Sequence, residues 1–294
     1  MYSRKKVLSV YMKPKVLPYV FLLPAILAFS VFFLAPLVWM LKLSTYQTNF
    51  ISGRYVGFGN YLKLFSDGQF WRSIENNVYY AILIVPLQTF IPLAVALTVV
   101  NMKKGVQDYV RFAFYAPVFA SGIIITTVWH WIFHPIYGLA NFLLAQIGIE
   151  PIMWFADRIS GIAGIAIISG TGGLGGFVII YLATCLALPK EITDSAQVDG
   201  AGWWQIKWHI YIPHLMPTIV LVSLISLIGT MQIWAIVFAM TNGGPNGGTE
   251  SMMFNIYMDG FVRSRFGYSS AKSVVLTLII LILGILRMRL RKAE

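Results

Sequence analysis

Between two long apolar runs, residues 189–217 read PKEITDSAQVDGAGWWQIKWHIYIPHLMP. Pro189 suits the start of a helix, and Glu191 complements the positive end of its dipole. Gly200 is placed to take the left-handed conformation that ends such a helix. Asp199 is placed to cap the next one by accepting a backbone N–H bond. In that second helix Trp204, Trp208 and Tyr211 follow the i, i+4, i+7 spacing of one face. Pro213 and Pro217 are expected to end it and lead into the following apolar run. Two short helices at a sharp angle, tied at both ends to apolar segments, form a rigid knob suited to a groove in another protein. An interfacial helix with tryptophans at the headgroup level is the alternative.

The knob interrupts a chain of 294 residues that is 58% hydrophobic and 11% charged. A soluble domain carries about 25% charged residues, so a sequence this apolar belongs in a lipid bilayer. The formal charge of +11 lies beside apolar runs rather than in one patch. That favours a topological role over nucleic-acid binding. Cys185 is the single cysteine, which rules out an internal disulfide and a cysteine-based zinc site.

A span needs about 20 mostly apolar residues, and six stretches qualify: 18–40, 76–100, 109–133, 160–184, 217–240 and 269–290. The first is too long for a signal-peptide core and has no clear cleavage site, so it reads as an uncleaved helix. Pro24, Pro36, Pro86, Pro92 and Gly229 within these runs are tolerable where neighbouring helices satisfy the freed backbone groups. With the N-terminus inside, the inner segments hold fourteen Lys and Arg, from Arg4, Lys5, Lys6, Lys13 and Lys15 to Lys292. The outer segments, with Lys42, Arg54, Lys63, Arg72, Arg158, Arg263, Arg265 and Lys272, hold eight. This bias predicts both termini and the knob on the cytoplasmic side. The expected fold is therefore an all-α integral membrane protein of six transmembrane helices, a single domain over 1–294. Turn-rich outer segments at 52–53, 57–60 and 241–248 read either as ordered turns that meet an external partner or as simple connectors.

Asp194-Ser195-Ala196, Asp199-Gly200-Ala201 and Ile210-Tyr211-Ile212-Pro213, with Pro217 following, resemble the EAA loop of ABC importer permeases. The likeness extends to Leu22-Leu23-Pro24, to Phe58-Gly59-Asn60-Tyr61, and to the stretch from Trp129 to Pro135. Thr241-Asn242-Gly243-Gly244-Pro245, followed by Thr249-Glu250, is similar to the T-x-G-G-P segment of the carbohydrate-importer branch. Within that branch the chain looks like the first of two paired permeases of the maltose and glycerol-phosphate type. It departs from the usual loop in Asp194 for glutamate, in Ser195 for alanine, and in Lys207 where an aromatic is common.

The resemblance implies a type I importer permease fold in the bacterial cytoplasmic (inner) membrane. It implies a second homologous permease, a dimer of cytoplasmic ATPases and an extracellular solute-binding protein as partners. ATP and Mg would sit on the ATPases, so this chain is expected to bind no cofactor or metal and to be no enzyme. Asp194, Ser195, Ala196, Asp199, Gly200 and Ala201 would form the coupling element, with Trp204 and Trp208 bracing it against the core. The transported solute would be a sugar, with an oligosaccharide preferred.

Polar groups inside spans are costly and therefore candidates for a sugar pathway. They are Asn77, Gln88, Thr126, Thr127, Tyr181, Gln232 and Trp234, with Gln232 and Trp234 the leading candidates and each with an alternative role in joining helices. The glycine run at 170–176 lacks the Gly-Lys-Ser/Thr ending of a phosphate loop and reads as close helix packing or a cavity wall. His130 and His134 have zinc-like spacing but no third ligand in view. A secondary transporter is the main rival reading. It would call for intramembrane acids and an internal repeat, and neither is evident.

Overall fold

The computed structural model describes residues 17–49, 51–119 and 122–291, with side chains described over 19–49, 51–119 and 124–285. The basic N-terminal cluster and Lys292 lie outside the described residues. Helix α1 (Leu17–Phe29) runs through a π-turn, Ser30–Leu34, into α2 (Ala35–Ser44). A short antiparallel hairpin follows, β1 (Tyr46–Thr48) on β2 (Gly53–Tyr55), with Gln47 opposite Arg54. After α3 (Gly59–Phe65) comes α4 (Gly68–Val99), 32 residues long. Asp67 caps α4 by accepting the Gln69 and Phe70 amides, so this helix begins well before the apolar run at 76. Pro86 and Pro92 do not break it.

Next are α5 (Lys104–Tyr115), α6 (Gly122–Ile132), α7 (Leu139–Gln146), α8 (Arg158–Gly172) and α9 (Leu174–Leu186). The knob is α10 (Lys190–Val198) and α11 (Trp203–Ile206), and a π-turn, Lys207–Tyr211, joins it to α12 (Ile212–Met231). The chain closes with α13 (Ala235–Met240), α14 (Met252–Tyr257), a π-turn at Met258–Val262, and α15 (Phe266–Arg291).

Among the described residues four helices are long and apolar enough to cross a membrane unaided: Tyr19–Ser44, Gly68–Val99, Trp203–Met231 and Phe266–Ile285. Two further crossings arise if paired helices are joined. These are Lys104–Phe119 with Ile124–Ile132, and Arg158–Gly172 with Leu174–Leu186, the latter pair bent by 45°. Two expectations are corrected. Pro213 and Pro217 do not end the second knob helix, because Trp203 to Met231 is one helical rod. The π-turn explains this: Ile212 N–H donates to the Lys207 carbonyl five residues back, a local widening just where Pro213 has no N–H to give. The run expected to span 217–240 instead stops at Met231, with Gln232 as its C-cap, and restarts as α13.

Lipid tails are as apolar as leucine, so helices in a bilayer join by close packing and hydrogen bonds rather than by the hydrophobic effect. Helix α4 is the hub and packs against α8, α9 and α12. At Gly175 an added Cβ would stand 2.1 Å from the Phe114 carbonyl oxygen, which is how α9 lies directly on the backbone of α5. Asn77 donates to the carbonyls of Thr230 and Met231 and accepts the Met252 amide at 2.8 Å, fastening α4 to α12 and α14.

At the hairpin end of the bundle, charges are buried in pairs. Lys272, 1% exposed, meets Asp259 at 2.6 Å and donates to Asn255. The Tyr268 hydroxyl donates to Asp67 at 2.6 Å. Burial alone would raise the Asp67 pKa, but Tyr268, Lys272 and the two capped amides hold it below the usual carboxylate value.

Candidate functional site

The knob is built by a helix cap. In α10 the Gly200 N–H bonds the Gln197 carbonyl at 3.0 Å, and the Ala201 N–H bonds the Ala196 carbonyl at 2.9 Å. This pair of bonds is a Schellman motif, which needs a left-handed residue at its centre. Gly200 supplies it with φ +84°. Ala196 and Ala201, joined by that backbone bond, are both packed on the core around Leu182, Cys185 and Tyr211. The Asp-Gly-Ala triplet and the alanine five residues before its end are thus two halves of one turn.

Asp199 does not cap α11 as expected. That place belongs to Gly202, whose N–H is bonded by the Gln205 side chain at 2.7 Å. Asp194, Ser195 and Asp199 are exposed.

The tryptophans are also corrected. Trp204 is 67% exposed and Trp208 is 60% exposed, so neither braces the knob against the core. A π-turn rotates each residue by less than the roughly 100° of an α-helix, which carries Tyr211 off the tryptophan stripe and into the core, 5% exposed. Bracing falls instead to Ile206, Tyr211 and Lys207. The Lys207 ammonium lies 4.3 Å from the Tyr211 ring centroid and 5.6 Å from that of Trp203, a cation–π arrangement. Lysine thus stands in for an aromatic by packing against two of them.

The helices on either side of the knob line a cavity of about 470 Å³. Gly173 and Phe177 come from the start of α9, and Ser226 and Thr230 from the end of α12. Gln88 of α4 also lines it, donating to the Ser169 carbonyl at 2.9 Å and accepting from Ser226 at 2.7 Å. Of the pathway residues expected from sequence, Gln88 and Thr126 line this cavity. Asn77 and Tyr181 are buried in helix contacts, and Gln232 is exposed at the α12–α13 break. Trp234 stacks on Tyr257, 4.8 Å between centroids.

Ser226 and Thr230 were missed, although their i, i+4 spacing was a readable signal. The glycine run does form part of the cavity wall, through Gly172 and Gly173. His130 Nδ1 lies 3.1 Å from the Met240 sulfur and His134 stacks on Tyr137. Among the described residues no cluster of three metal-binding side chains exists.

The segment 241–250 is fixed rather than loose. Tyr80 donates to the Thr249 carbonyl at 2.8 Å, and Asn76 to the Glu250 carbonyl at 2.9 Å. The Glu250 carboxylate accepts from Gln69 and Asn255, and Arg158 bonds both Asn76 and Glu75.

Apolar rods around a polar-seamed hub, with an exposed capped knob, define a multi-pass helical membrane protein. No family model matches the chain. It is 30% identical to the lactose transport system permease protein LacF of Rhizobium radiobacter, over 92% of each chain. Identity is 29% to the probable ABC transporter permease protein YurN of Bacillus subtilis, over 95% of this chain and 97% of that one. The fold matches that of a chain in the crystal structure of a bacterial alginate ABC transporter bound to a periplasmic protein carrying an alginate pentasaccharide. The TM-score is 0.80 at 23% identity, over 92% of each chain.

The chain belongs to the family of ABC sugar-transport permeases. Such a subunit is a transport protein and not itself an enzyme.

Proposed function

We propose that this chain is one of two homologous permeases of an ATP-driven importer in the bacterial cytoplasmic membrane. It forms one permease domain over 1–294, crosses the membrane six times, and keeps both termini and the knob in the cytoplasm. Two ATPase subunits grip the knob from inside, with ATP and Mg bound on them, and a solute-binding protein delivers a sugar from outside. The observation that carries this reading is the exposed, Schellman-capped knob set between two helices that both reach the central cavity.

That connection supplies a mechanism. ATP-driven closure of the ATPases moves residues 194–201. Because the knob is rigid and continuous with α12 through the π-turn, its movement carries Ser226 and Thr230 at one wall and, through α9, Gly173 and Phe177 at another. The cavity changes shape without any chemistry on this chain. Gln88, Ser226 and Thr230 offer the few polar groups that orient a sugar among apolar walls. An oligosaccharide is favoured by relatives named for trehalose/maltose and arabinooligosaccharide transport and by the alginate pentasaccharide of the structural neighbour.

The test is purification of the tagged chain in mild detergent from its native host, with mass spectrometry of what accompanies it. A second permease and an ATPase at 1:1:2 is the expected result. A chain that purifies alone and transports without ATP would support a secondary transporter instead.

A further inference from the structure

We propose that the hairpin end carries a docking site for carboxylate side chains on the solute-binding protein. The proposal rests on the orientation given above, which places this end outside.

A cavity of about 810 Å³ opens there between the hairpin, α3 and the start of α15, and Gln47, Arg54, Lys63, Ser264, Arg265 and Tyr268 are among its lining residues. The Asn49 side-chain oxygen takes the Ile51 and Ser52 amides, and the Asn60 amide group donates to the Ser44 and Tyr46 carbonyls, so both side chains are tied into the cavity wall. Three cations, Arg54, Lys63 and Arg265, face the space and are exposed. Lys63 lies over the Tyr268 ring at 5.1 Å, and Arg265 stands 3.9 Å from Asp259. The two carboxylates near this surface, Asp67 and Asp259, are held by Tyr268, Lys272 and Arg263. Among the described residues the lining therefore carries three cations and no carboxylate, a net positive charge that selects an anion.

The form of the cavity selects the source. Among the described residues Val56 is the one aliphatic side chain that lines the cavity, so the wall around the three cations is polar and offers little to an acyl chain. The cations sit at an open mouth rather than around an enclosed ligand, and small ligands are usually buried over 70–90% of their surface. An acidic protein surface fits both facts, and charge complementarity of this kind speeds and orients docking.

The experiment measures binding of the sugar-loaded binding protein to the whole assembly in lipid nanodiscs at 25–300 mM NaCl. Affinity is expected to fall as salt rises. Arg54→Glu should weaken docking about tenfold at low salt, Lys63→Gln by less, and Arg54→Lys should restore it. Arg54 lies on an exposed strand, so if Lys63→Gln fails to assemble, Arg54→Glu and Arg54→Lys still decide the matter. Docking unchanged by Arg54→Glu overturns the site. So does a weakening that follows only the removal of anionic lipid from the discs, or competition by free glucuronate with no change in protein docking. A wild-type assembly that binds no such protein at all, with no ATPase subunit attached, removes the importer reading itself.

Discussion

Gly200 shows how much one residue can carry. Its φ of +84° is open to glycine, and an added Cβ there would meet nothing within 4 Å. The cost of Gly200→Val is therefore one of backbone strain, about 1–2 kcal/mol, spent in the turn rather than in the core. The variant should insert and purify normally but transport sugar several-fold more slowly; transport at the wild-type rate would count against the turn as the coupling element. Asp67 makes a second prediction. Because its pKa is lowered from 3.8 by Tyr268, Lys272 and the capped amides, its stabilisation is present above about pH 4 and is lost as pH falls through the lower folded value. Thermal unfolding in detergent from pH 3 to 7 should show this acid-side loss in wild type and a flatter profile, from a lower plateau, in Asp67→Asn.

Among the elements, the knob was partly legible in sequence. Gly200 announced its turn, because a glycine after a short helix has a specific backbone use. The capping of α11 was not legible, since Asp199 and Gln205 are both plausible caps and only the observed bond to Gly202 chooses between them. The tryptophan face was misread for a physical reason: i, i+4, i+7 spacing assumes a regular helix, and the π-turn before Pro213 breaks that assumption. Exposure of Trp204 and Trp208 leads to an outcome opposite to that of a core brace. Changing both to alanine should leave thermal stability of the purified chain within about 1 kcal/mol, as exposed substitutions do, while reducing the ATPase subunit recovered with it. A marked fall in melting temperature with full ATPase recovery would restore the bracing role. Polar residues in spans were harder to sort. Asn77 and Gln88 look alike in sequence, yet one is buried in a helix joint and the other lines the cavity. Only the packing of α4 against α12 separates them.

At the scale of the whole molecule, the cavity and the knob are opposite ends of the same two helices, and that arrangement can be tested by blocking one end. Ser226→Phe places a ring in a space of about 470 Å³. Sugar uptake should be abolished while the second permease and ATPase still copurify; unimpaired uptake would move the pathway elsewhere. The number of crossings was readable from hydropathy to within the four to six that the helices allow. The bend at Gly173 and the extension of α12 down to Trp203 were not, because hydropathy averages over the very residues where a helix turns or continues.

One contact also bears on how the protein is made. Helix α2, Ala35–Ser44, packs chiefly against α15, Phe266–Arg291, so among the described residues the earliest rod to leave the ribosome is clasped by the last. At 5–20 residues per second, roughly 10–50 s separate the two. Through that interval the first rod stands in the bilayer without its eventual neighbour, and a ribosome that stalls before residue 266 releases a chain whose opening helix has nothing to close on. Quality control in the membrane has its longest window here, and truncations near the C-terminus should be cleared as readily as those that remove whole spans.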